Sequence, residues 1–158
     1  MSLLPLTQFV CDACGQVIQE IKDGWVEWLN DDDHFNYGFR IVHHAPVARD
    51  LGCRCYKYDK HIHRADMHLH SFVENVGMVR ALSLLHPGML HSSDSDRSYI
   101  RNANEYAVFI RRLFLPYYEE ARLYFDEAQA DGFISDANEV LVYKEEFLQE
   151  MVERYTRY

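Results

Sequence analysis

Four cysteines in the first 55 residues, arranged as Cys11-Asp-Ala-Cys14-Gly and Cys53-Arg-Cys55 around the pair His43-His44, constrain this chain more than any other feature. Zinc takes four tetrahedral ligands, most often thiolate or imidazole, and two short-range pairs joined by a hairpin are the simplest way to supply them. Cys11-x-x-Cys14 followed by Gly15 has the spacing at which one tight turn aims both sulfurs at a single point. Cys53-x-Cys55 is tighter, yet residues two apart in an extended strand face the same side. Adjacent strand residues face opposite sides, so at most one of His43 and His44 reaches such a metal. Two ligand sets follow. One is all four cysteines; the other is Cys11, Cys14, His43 or His44, and one of Cys53 and Cys55. Either set closes the coordination shell with protein groups, which marks structural Zn2+ rather than a catalytic ion.

The rest of the composition narrows the class of protein. With 158 residues, 48% of them hydrophobic and including 11 Tyr and 9 Phe, the chain has ample material for a core and is not a disordered segment. Its formal charge of −9 is spread over both halves. Neither half offers the basic footprint that a phosphate backbone requires, so nucleic acid is disfavoured as a partner and another protein is expected. The N-terminus lacks a basic n-region and an extended apolar stretch, and no apolar run approaches the roughly 18 residues of a membrane span. A cytoplasmic location is therefore expected, and there paired cysteines favour metal over disulfides.

Local patterns predict an α+β fold. Gly24-Trp-Val-Glu-Trp-Leu29 and Tyr37-Gly-Phe-Arg-Ile-Val-His43, separated by the polar turn Asn30–His34, form a hairpin that carries the chain back toward the first cysteines. From about residue 69 the period becomes helical. Phe72, Val76, Val79, Leu82 and Leu85 mark the buried face of a first helix ending before Pro87-Gly88. Asn102 or Asn104 caps a second, carrying Tyr106, Ile110 and Leu113. A third begins at Pro116, buries Tyr118, Ala121, Phe125 and Ala128, and stops at Gly132. A last helix from about Lys144 buries Phe147, Leu148, Met151, Val152 and Tyr155. The expected arrangement is a zinc-stabilised β-hairpin module, residues 1–66, packed on a bundle of about four helices, residues 67–158.

Cys11-x-x-Cys14-Gly with the later Cys53/Cys55 resembles a zinc ribbon over residues 9–58, with a second knuckle shorter than usual. Ile41-Val-His43-His44-Ala-Pro-Val47 looks like the central strand of HNH-type nucleases. That second resemblance implies His44 as a general base beside a divalent metal. The chain departs from it in having no second Cys-x-x-Cys and no Asn between Asn36 and Asn75.

His61-Ile-His63 and His68-Leu-His70, with Asp59 and Asp66, form a further cluster of metal-ligand types. Loop histidines at a domain junction are the simpler reading. Glu127–Asn138 imitates an EF-hand loop but lacks its first Asp and its final bidentate Glu. Residues 103–131 imitate a helix-turn-helix, yet Glu119, Glu120, Asp126 and Glu127 would repel DNA. The sequence thus predicts a zinc-stabilised interaction or regulatory protein, with Tyr117, Tyr118, Tyr124, Trp25 and Trp28 as contacts. A metal-dependent hydrolase is the alternative.

Overall fold

The structure, a computed structural model, describes residues 2–51, 62–73, 76–86, 99–134 and 139–156. A short antiparallel hairpin opens the chain. β1 (Phe9–Val10) pairs with β2 (Val17–Ile18), setting Phe9 opposite Ile18, both fully buried. The turn between them is the Cys11–Gly15 knuckle. It closes through the Gly15 N–H on the Cys11 carbonyl at 2.8 Å and the Cys11 N–H on the Gln16 carbonyl at 2.9 Å. Gly15 sits at φ +73°, a conformation that any side chain would strain.

The predicted hairpin is present as β3 (Gly24–Asp31) and β4 (Asn36–His43), antiparallel with Trp25 opposite Val42 and Glu27 opposite Arg40. Asp31 fixes its loop, accepting the N–H groups of Asp33 and Phe35 at 3.0 Å each. A third strand, β5 (Ile62–His68), completes the order β4-β3-β5. The loop expected around the His63–His68 segment is therefore a strand. Ala65 and Met67 pack on the core while Arg64, Asp66 and His68 occupy the opposite face, the period-two alternation of a strand. Residue 66 lies inside this strand, and one apolar cluster joins Val26 and Ile41 to Phe72 and Phe109.

Between β4 and β5 lies α1 (Ala45–Leu51). The first predicted helix is split into α2 (His70–Val73) and α3 (Gly77–Leu85), and its expected buried face is inverted. Phe72 is fully buried, whereas Val76, Val79 and Leu82 are 59%, 68% and 55% exposed. Close approach decides the orientation. α3 turns its smallest residues, Gly77 and Ala81, inward, and a Cβ at Gly77 would stand 2.0 Å from the Phe72 carbonyl oxygen. The Tyr106 hydroxyl donates to the Ala81 carbonyl on the same side.

α4 (Ala103–Phe114) is capped by Asn102, whose side chain accepts the N–H groups of Asn104 and Glu105 at 3.1 and 3.2 Å. Glu105 in turn accepts the Phe39 N–H at 2.8 Å, tying the helix to the edge strand. Tyr106, Phe109 and Leu113 enter the core, where Phe109 stacks on Phe39 with ring centroids 5.0 Å apart.

The third predicted helix is interrupted. α5 (Tyr118–Ala121), a 3-10 turn (Arg122–Tyr124) and α6 (Phe125–Ala130) follow a start at Tyr117, which has φ 64°. The segment ends as expected at Gly132, φ +74°, with the Phe133 N–H returning to the Ala128 carbonyl at 2.9 Å. After α7 (Glu139–Val142), α8 (Glu145–Tyr155) buries Leu148, Met151, Val152 and Tyr155 against Tyr118, Ala121 and Ala128. Among the described residues, no helix is long and apolar enough to cross a membrane.

Candidate metal centre

Cys11, Cys14 and His43 converge, with one ligand atom from each within 4.8 Å of the others. Cys14 Sγ lies 3.6 Å from His43 Nδ1. Cys11 and His43 are buried and Cys14 is half-buried, so a cation held here would be largely screened from water. Such a set of two thiols and an imidazole could hold a metal ion.

Backbone pairing explains why residues 29 positions apart meet. The Asp12 N–H donates to the Ile41 carbonyl at 2.9 Å, and the Asp12 carboxylate accepts the Ile41 N–H at 2.7 Å. The knuckle is thereby laid along β4 two residues before His43. Strand alternation puts His43 on the same face as Ile41 and sends His44 to the other. Cys53 and Cys55 lie outside the described residues, as does His61.

Asp12 also anchors the knuckle to the helices. Arg112, buried in α4, donates to the Asp12 carboxylate at 2.6 Å, to Glu119 at 2.7 and 3.0 Å, and to the Val10 carbonyl at 3.1 Å. Glu119 accepts the Val10 N–H at 2.8 Å and two bonds from Arg122 at 3.0 Å each. Burial lowers the proton affinity of Arg112, but Glu119 and Asp12 outweigh it and hold the guanidinium above its ordinary value. Burial likewise raises Glu119, and Arg112 with Arg122 outweighs it, holding the carboxyl below its ordinary range. Glu120, also buried, accepts the Leu3 N–H at 2.7 Å.

Sequence reasoning missed this network. Glu119 and Glu120, singled out in the sequence only as charges that would repel DNA, are 5% and 2% exposed and accept bonds from the N-terminal segment. Their identity alone carries no such signal. The cue is Arg112 inside an otherwise apolar stripe of α4, since a buried guanidinium needs carboxylate partners. The expected aromatic contacts are also revised. Tyr118 and Trp28 are core residues at 2% and 7% exposure, while Tyr117, Tyr124 and Trp25 are half-buried.

His44 stacks on Trp25 with centroids 5.0 Å apart and planes 14° from parallel. His68 meets Trp25 at 4.8 Å and His70 at 5.2 Å, forming a patch of rings at one end of the sheet. Among the described residues, none of His44, His63, His68 and His70 joins a group of three metal-ligand side chains as close as the Cys11–Cys14–His43 set.

Comparison with protein-family models, with curated proteins and with solved structures finds no match to this chain.

Proposed function

We propose that this is a zinc-stapled interaction protein in which Cys11, Cys14 and His43, with Cys53 or Cys55, hold one structural Zn2+. The distance between Cys14 Sγ and His43 Nδ1 carries the reading. Zinc–sulfur and zinc–nitrogen bonds of about 2.3 and 2.05 Å at a tetrahedral angle place the two ligand atoms about 3.6 Å apart. The observed separation is 3.6 Å. Four protein ligands would leave no position for substrate, so the metal would organise the knuckle and not activate water. Zinc would also reinforce the ordering that Asp12 and Arg112 impose, because a thiolate pair held by metal keeps the turn closed.

A protein partner fits this scaffold better than nucleic acid. The net charge is −9, and the exposed apolar residues Met78, Val79 and Leu82 lie on one short helix with exposed Val76 at its N-cap.

The test is chelation. Removing zinc from the purified protein is expected to release hydrogen-exchange protection at residues 9–18 before that of α8, and Cys14→Ser is expected to do the same without chelator. Simultaneous loss of protection in both regions, or none in the first, would contradict a local staple. Added Mg2+ or Mn2+ is expected to produce no phosphodiester cleavage, and metal-dependent cleavage lost in His44→Ala would instead establish the hydrolase reading.

A further inference from the structure

Adjoining the metal centre at His43 is a cavity of about 150 Å³ whose other lining residues the zinc reading does not use. Trp25, Val42 and Ala45 form its apolar wall, Glu27, Arg64 and Asp66 its polar one, and His43 lines it on the side of the metal centre. The register explains the grouping. Trp25 pairs with Val42, Glu27 with Asp66 and Leu29 with Arg64, so these alternate positions share the face opposite Val26 and Ile41.

Two donors in the wall of this cavity are unspent. The Trp25 indole Nε1 and the Arg64 Nε are both buried and have no hydrogen-bond partner among the described residues. Most buried polar groups in a folded protein are satisfied, so two in one cavity wall call for an explanation. The charges beside them are already paired: Arg40 with Glu27, and Arg64 with Asp66 at 2.9 Å. A ligand bearing its own net charge would be left uncompensated there, whereas a neutral one with oxygen or ring-nitrogen acceptors would satisfy both donors. Size limits it further, since a void of about 150 Å³ accommodates a single six-membered ring. The stack of His44 on Trp25 holds the indole plane and so preorganises its N–H.

We infer that this cavity binds a small, uncharged, flat ring compound carrying a carbonyl, with Trp25 Nε1 and Arg64 Nε donating to its acceptors. Glu27 and Asp66 line the same space, and their carboxylates would favour a ring that also presents an N–H, as a cyclic imide or a primary aromatic amide does.

The chain carries its own control. Its other tryptophan, Trp28, is buried and already donates its Nε1–H to the Asn36 side chain at 3.0 Å. The experiment follows the two indole N–H resonances of the 15N-labelled, metal-loaded full chain during titration with uracil, benzamide and benzoate. Uracil or benzamide is expected to shift the Trp25 resonance saturably and leave that of Trp28 in place. Arg64→Lys keeps the charge opposite Asp66 but loses the Nε donor, and is expected to weaken binding about fivefold. Trp25→Phe is expected to abolish it, read from the ligand's own signals. The inference is overturned if neither neutral ring gives a saturable shift, if both indoles move together, if Arg64→Lys binds as well as the parent, or if benzoate binds more tightly than benzamide.

Discussion

Replacing Arg112 by methionine isolates what ties the knuckle to the helices. The substitution keeps most of the side-chain volume but removes bonds to Asp12, Glu119 and the Val10 carbonyl. Breaking a buried ion pair by deleting one partner costs about 3–5 kcal/mol. Arg122 still donates two bonds to Glu119, so the lower end, about 3 kcal/mol, is expected. For a chain of this size that corresponds to a melting temperature lower by about 6–12 °C. Urea unfolding at neutral pH, followed by far-ultraviolet circular dichroism, measures it. The pH dependence gives a second reading. Glu119 is held below its ordinary value of 4.5, so the stability it contributes is present above that pH and is lost as pH falls through its folded value. Without Arg112 the depression shrinks, and the gap between parent and variant should narrow as the solution is acidified. A loss under about 1 kcal/mol, the worth of one ordinary hydrogen bond, would refute the claim that this network docks the knuckle.

Two further substitutions test the helical half. Gly77→Ala would gain about 1 kcal/mol from helix propensity alone. The new Cβ would meet the Phe72 carbonyl oxygen at 2.0 Å, so net destabilisation is expected in urea, and a gain would disprove the close packing of α3. Asn102→Ala removes the cap of α4 and is expected to cost about 1 kcal/mol, checked by the same unfolding curve, with Asn104→Ala close to neutral.

Much of the fold was legible wherever local pattern and tertiary role agree. The knuckle at Cys11–Gly15, the hairpin of β3 and β4, the Asn102 cap and the buried stripe of α8 all follow from spacing, turn chemistry and apolar period. Failures came where the environment overrides the pattern. Ile62–His68 carries four polar or charged side chains, and its histidines drew attention from the alternation of Ala65 and Met67 that marks a strand. In α3 the valines and leucines look like a core face, but backbone proximity at Gly77 and Ala81 takes that place. Glu119 and Glu120 look solvated because their partners, Arg112 and the Leu3 and Val10 amides, are distant in sequence. For the site, Cys11, Cys14 and the His43–His44 pair were legible, but strand parity alone left the two histidines equivalent. The Asp12–Ile41 pairing is what distinguishes them, and no one-dimensional signal encodes it.

Zinc-edge X-ray absorption on the purified protein tests the central claim most directly. One zinc per chain is expected, with three sulfurs at about 2.3 Å and one imidazole nitrogen at about 2.0–2.1 Å, the nitrogen signal disappearing in His43→Ala. Absence of zinc, a shell of oxygen and nitrogen only, or an unchanged nitrogen signal in that variant would contradict it.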